Sequence, residues 1–242
     1  MSQLRKRERA AIAAVAKHFS ATWGESDDGS DAHLSFAGTR IAVKVATIRQ
    51  PIRRPADAPK PRLRFDKVVR QLIGRLQAAL RESVPDGTTV LFTCTAPIRL
   101  CAKTAEALEH KITARLARRS MQVQYKDTIH GNQIRMRLVR SRSRQVAKVI
   151  GLVHNPDSDP DILLHLMHSL LQVSGAAADH GGPAKSLKPH WLVVVIDSGF
   201  SHIETYRQIY AELSIPTEFT KILLVFADDR VETLAGARLL GW

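Results

Sequence analysis

The sequence predicts an α/β fold in which a mixed β-sheet is flanked by helices. Runs of strand length recur along the chain, and helical periodicities fall between them. Two late runs, WLVVVI at 191–196 and KILLVF at 221–226, are continuous enough to be central strands buried on both faces. At 242 residues and 44% apolar content the chain buries a substantial core. The expectation is one α/β domain over 1–242 with an inserted or appended lobe, the basic region 40–149 being where such a lobe would lie.

Leu4 to Phe19 carries Ala, Ile and Val at helical spacing after a basic first turn, which predicts an amphipathic helix closed by the polar stretch Gly24 to Ser30. Ala32 to Phe36 and Arg40 to Ile48, joined by Ala37, Gly38 and Thr39, predict a β-hairpin with Ile41, Val43, Val45 and Thr47 on one face. Pro51, Pro55, Pro59 and Pro61 exclude both helix and central strand between Gln50 and Pro61, leaving an exposed loop. Over Phe65 to Arg81, Val68, Val69, Leu72, Leu76, Ala79 and Leu80 form a helical apolar stripe with Lys67, Arg70, Arg75 and Arg81 mostly off it.

Pro85, Asp86 and Gly87 turn the chain into a strand at Thr88 to Thr95, and Ala102 to Ala117 reads as a second basic helix. Gln133 to Val139 alternates Ile134, Met136 and Leu138 with Gln133, Arg135 and Arg137, so one face is apolar and the other, a row of arginines, is exposed or bound to something. After a basic link at Arg140 to Arg144 come a buried-type strand at Lys148 to Val153 and a turn at Asn155 to Asp161. A helix at Ile162 to Val173 and a Gly-, Ala- and Pro-rich loop at Ser174 to Pro189 follow. A last helix, Ser201 to Leu213, separates the two late strands.

Charge is distributed unevenly. Residues 40–149 hold 25 Lys and Arg against 7 Asp and Glu, a net of +18, whereas 150–242 sum to −5. Clusters in the proline-rich loop, two helices and the arginine strand face exceed what solubility requires and have the character of a polyanion-binding surface. Aromatic residues make up only 5% of the chain. Backbone binding to a duplex or structured nucleic acid is therefore expected over stacking on single strands. The start of the chain is charged with no signal-peptide core, and no apolar run approaches membrane-spanning length, so a soluble, cytoplasmic protein without membrane contact is expected. Cys94 and Cys101, the only cysteines, form neither a disulfide framework nor a four-cysteine zinc site.

An opening helix, an acidic turn feeding a hairpin with the strand IAVKVATI, and late strands of the WLVVVID and KILLVF type resemble the PD-(D/E)xK restriction-endonuclease-like superfamily. The resemblance implies a nuclease-like sheet in which an acid before the first hairpin strand, and an acid, one spacer and a lysine on the second, hold Mg²⁺ and activate water. Asp31 falls at the first acidic position. On the second strand Lys44 stands at the acidic position and Ala46 at the lysine. A cation there repels the ion the family needs, so Asp31 and Lys44 are degenerate motif positions that imply an inactive site. Glu25, Asp27 and Asp28 are the acids from which a rearranged site would draw.

Three alternating acids, Asp157, Asp159 and Asp161, resemble the start of a calcium loop, but the loop's glycine and distal glutamate are missing and Asp159 or Asp161 is well placed to cap the helix that follows. His154, His165 and His168 lack a placed third ligand for a metal. Asp197, Ser198 and Gly199 follow an apolar strand, where a turn needs the same residue types. No phosphate loop or nucleophile elbow is present.

The expected function is nucleic-acid binding through Arg49, Arg53, Arg54, Arg62, Arg64, Lys67, Arg70, Arg135, Arg137, Arg142 and Arg144, with no cofactor and no metal. The alternatives are an active Mg²⁺-dependent nuclease with a rearranged site, and an interaction module whose basic face meets an acidic partner or a second copy in a homodimer.

Overall fold

The computed structural model describes residues 4–26, 31–36, 38–49, 62–117, 124–140, 146–178, 190–197, 202–215 and 219–236. In chain order its elements are α1 (Lys6–His18), β1 (Thr22–Glu25), β2 (Ala32–Phe36), β3 (Thr39–Arg49), β4 (Leu63–Arg64), α2 (Lys67–Ala79), β5 (Thr88–Thr95) and α3 (Cys101–Ala117). They continue with β6 (Tyr125–Ile129), β7 (Asn132–Arg140), β8 (Val149–His154), α4 (Pro160–Ala178), β9 (His190–Asp197), α5 (Ile203–Leu213), β10 (Lys221–Val225) and β11 (Val231–Gly236). Two compact units result. Unit 1 comprises Met1–Ala58, Val173–Ile203 and Thr217–Trp242, and unit 2 comprises Pro59–Gln172 and Glu204–Pro216.

Unit 1 holds a six-stranded mixed sheet in the order β1-β2-β3-β9-β10-β11. β1, β2 and β3 form an antiparallel meander, the β2–β3 turn passing through Gly38 at φ +91°, which favours glycine. β3, β9 and β10 run parallel, and β11 returns antiparallel to β10. Glu8, in the first turn of α1, accepts the Arg5 amide at 2.8 Å, satisfying a donor that the helix start leaves open. Ala11, Ile12 and Val15 of α1 then pack with Leu34, Val43, Val193, Val195, Leu223 and Val225. The alternate residues of the parallel strands, including Ala42, Ile48, Val194, Ile196 and Leu224, are buried too, which is why those strands read as continuous apolar runs.

Unit 2 holds a five-stranded mixed sheet in the order β4-β8-β5-β7-β6, parallel only between β5 and β8. Asp66 caps α2 by accepting the Val69 amide at 3.1 Å. Val69, Leu72 and Leu76 of α2, with Leu108 and Ile112 of α3, bury against Val90, Phe92, Cys94, Ile134, Met136 and Val153 of the sheet. Gly151 is required in β8 because a Cβ there would stand 2.2 Å from the Phe92 ring. Asp159 caps α4, its Oδ1 accepting the amides of Asp161 and Ile162 at 2.9 and 3.3 Å.

The fold is thus α/β, with two mixed sheets where one was expected. β1, β4, β6 and β11 had no counterpart in the sequence reading. All lie at or next to sheet edges and are short, so little apolar pattern marks them. α4 runs through Ala178, five residues past its expected end at Val173. Alanines favour the helix there and Gly175 is buried, so packing outweighs the glycine's poor propensity. Val68, placed on the buried stripe of α2 by periodicity, is 43% exposed. The proline-rich loop 50–61 and the basic link 141–145 lie outside the described residues.

Candidate nucleic-acid interface

Asp31 directly precedes β2, and its backbone amide donates to the Val43 carbonyl at 3.1 Å, fixing the side chain against β3. Its Oδ2 accepts the Val45 amide at 2.7 Å, and its Oδ1 lies 3.4 Å from Lys44 Nζ. The side chains are 13% and 27% exposed, so the pair is partly shielded from water. The hairpin therefore brings Asp31 and Lys44 together as a neutral ion pair. Glu25 is engaged elsewhere, with Arg9 at 2.7 Å, and Asp27 and Asp28 lie outside the described residues. Glu8 is occupied by the Thr47 hydroxyl and the Arg5 amide.

The arginine face of β7 is covered by α4. Arg135 Nε lies 3.4 Å from Asp161 Oδ1, and Lys126 Nζ lies 3.0 Å from Asp161 Oδ2. Arg137 places Nη1 3.1 Å from His168 Nδ1 and donates from Nη2 to Gln124 Oε1 at 3.3 Å. Gln124 in turn donates to Asp161 at 2.5 Å. An arginine has only donors, so His168 Nδ1 must accept and its ring is neutral. Burial, and then Arg137 and His165, hold its pKa below the ordinary value. The Arg137 guanidinium is also pulled down by burial and held up by Asp161. The Nε atoms of both arginines are buried without a hydrogen bond, the Arg135 Nε contact to Asp161 being an ion pair rather than an aligned bond. Arg135 and Arg137 thus serve the packing of α4 on the sheet.

The histidines do not gather around a common point. His154 is buried, with Nδ1 2.8 Å from the Asn155 carbonyl and its pKa lowered by burial, while His165 contacts Ser169 at 3.3 Å. Among the described residues no group of three or more His, Cys, Asp or Glu could hold a metal ion. Cys94 is inert, burial pushing its thiol up to about 12. No described helix is long and apolar enough to cross a membrane.

A different set of cations is exposed together. Arg62 directly precedes β4, Arg64 ends it, and Lys67 and Arg70 lie in the first turns of α2, all exposed on unit 2. Among the described residues the side chains of Arg62, Lys67 and Arg70 have no hydrogen-bond or ion-pair partner. Arg64 Nε lies 3.4 Å from Asp66 Oδ2, leaving its Nη donors without such a partner. Arg64, Asp66 and Lys67 border a cleft of about 330 Å³ whose walls are Val68, Val69, Ala96, Pro97, Ile98 and Val153. A larger cleft of about 470 Å³ between α2 and α3 is lined by Arg75 and Lys103 and also by Glu106 and Glu109, so its formal charges balance.

Arg49 ends β3 in unit 1, exposed and in register with Asp197 of β9. Arg53, Arg54, Arg142 and Arg144 lie outside the described residues, as do Ser198 and Gly199. The sequence reading missed the cleft because Pro97 and Ile98 meet Val68 only in the fold. The one local sign was a valine beside Lys67 at the start of a basic helix. Comparison with protein-family models, curated proteins and solved structures returns no match for this chain.

Proposed function

We propose that the chain binds nucleic acid through the β4–α2 face of unit 2 and that its nuclease-like hairpin site does not cleave. The observation that carries the binding reading is the partnerless state of Arg62, Lys67 and Arg70, in contrast to the engaged Arg135, Arg137 and Lys126. Exposed cations without intramolecular partners keep their full charge for phosphates, and each contact releases counterions. The resemblance to the restriction-endonuclease-like superfamily is supported by the opening helix, the hairpin and both late strands lying in unit 1, the strands in one sheet, with Asp31 at the head of β2.

The hairpin residues do not fit Mg²⁺. Among the described residues of the hairpin one carboxylate is present, its two oxygens taken by Lys44 Nζ and the Val45 amide, and Ala46 supplies no functional group. Incubation with plasmid and single-stranded DNA in Mg²⁺ or Mn²⁺ is expected to give no cleavage. Cleavage abolished by Asp31→Ala would overturn the inactive reading. For binding, anisotropy titration with duplex DNA and RNA is expected to show strong salt dependence, weakened in an Arg62→Glu, Lys67→Glu, Arg70→Glu variant that melts like the parent. Equal binding by that variant, or no binding at low salt, would remove the proposal and favour an interaction module with an acidic partner or a second copy.

A further inference from the structure

We infer that the cleft beside Arg64 and Lys67 takes the base of an unpaired nucleotide, so that the β4–α2 face prefers structured nucleic acid carrying an extrahelical base. This inference rests on the nucleic-acid reading of that face. The cleft joins two properties that a nucleotide also joins. Its walls are apolar side chains, and its border carries the cations Arg64 and Lys67 with partnerless donors. Among the described residues its one carboxylate, Asp66, is already committed to the Val69 amide and to Arg64 Nε, so it does not set a free negative charge against a phosphate.

Size agrees. A volume of about 330 Å³ is at the lower end of pockets that hold small ligands, enough for one planar group but not for a stretch of strand. Among the described residues no aromatic side chain lines it, so the walls offer apolar contact to a base face without a stacking platform. Val68, 43% exposed, is one of only two large apolar side chains that are exposed among the described residues, and it lines this cleft. Arg70 lies three residues after Lys67 on the same helix, so adjacent phosphates would meet cations at one-turn spacing. A paired base would have to leave its stack to enter, whereas a bulged or overhanging one has little stacking to lose.

The test uses the full chain and short duplexes, in DNA and in RNA, that are fully paired or carry one unpaired 2-aminopurine. The unpaired probes are expected to bind about fivefold or more tightly than the paired ones, the scale of burying one base face against apolar side chains. 2-Aminopurine emission is expected to rise on binding, because the walls hold no aromatic quencher. The DNA and RNA arms identify which nucleic acid supplies the nucleotide. Val68→Ala with Ile98→Ala, checked for an unchanged melting transition, is expected to bring the ratio of the two affinities below twofold. Equal affinity of the parent for paired and unpaired probes would overturn this inference while leaving the nucleic-acid reading in place. A preference that survives the double substitution, or unchanged emission, would likewise overturn it. Absence of binding to every probe at low salt would defeat the underlying reading itself.

Discussion

Asp31 gives one oxygen to the Val45 amide and the other to the Lys44 ammonium, and these two bonds differ in what they hold. The amide bond fixes the entry to β2 against β3, whereas the ion pair offsets a charge that the partly buried setting disfavours. Asp31→Asn keeps an acceptor for Val45 and should cost less than about 1 kcal/mol, while Asp31→Ala leaves a part-buried amide and ammonium without their partner and should cost about 1–3 kcal/mol. Chemical denaturation of both variants checks the order. His168 supplies a second test at this scale. Its pKa in the folded protein lies below the ordinary 6.5, so the unfolded chain binds the proton more readily, and stability falls as pH drops below about 6.5. His154 acts in the same direction. His168→Gln should flatten the decline between pH 6.5 and 5 without abolishing it, as measured by the denaturation midpoint against pH.

At the level of elements, α4 decides what the arginines of β7 do. With Arg137 held between His168 and Gln124, Arg137→Ala should lower unfolding stability by about 1–3 kcal/mol and leave the salt slope of nucleic-acid binding unchanged. A flattened slope with unchanged stability would show that Arg137 faces solvent and ligand. The alternation of Arg135 and Arg137 was legible, as were the buried strands β9 and β10, because period and apolar continuity are local properties. That Asp161 and His168 close over the arginines was not, since nothing in the sequence states which helix covers which sheet face. Capping was partly legible. Asp159 performs it, and its neighbour Asp161 instead joins Arg135 and Lys126 across the unit 2 sheet. The Asp31–Lys44 contact follows from the observed register, which pairs Phe36 with Thr39 and Ala32 with Val43, whereas the three-residue turn expected over Ala37 to Thr39 does not give that pairing.

For the whole molecule, the basic charge belongs mainly to unit 2, which has 21 Lys and Arg against 11 Asp and Glu, compared with 15 against 12 in unit 1. Several of these cations are ion-paired within the unit, Lys111 with Asp127, Lys126 and Arg135 with Asp161 and Lys148 with Asp86, so the count of cations overstates the number of phosphates contacted. Four contacts, from Arg62, Arg64, Lys67 and Arg70, correspond to a slope of about −3.6, or roughly a hundredfold loss between 50 and 200 mM salt. A titration across that range checks the number, and a much steeper fall would mean that further cations reach the ligand. The expectation of one sheet failed for a related reason. Strands can be recognised from their own residues, but β3 pairs with β9 and β5 with β8, and such distant partners carry no local mark.

The β3–β9 pairing also bears on synthesis. β3 ends at Arg49 and its parallel neighbour begins at His190, with most of unit 2 encoded between them. During translation the β1–β2–β3 meander leaves the ribosome long before the strand that covers its open side, exposing Val43 and Val45 beside an unpaired backbone edge. The core residues of unit 2 from Val69 to Val153 are all made in that interval, whereas α5 of the same unit follows β9. A nascent chain stalled before residue 190 would carry a basic unit still lacking α5, together with an adhesive half-sheet. The meander is then the part of this protein that most needs a chaperone's protection.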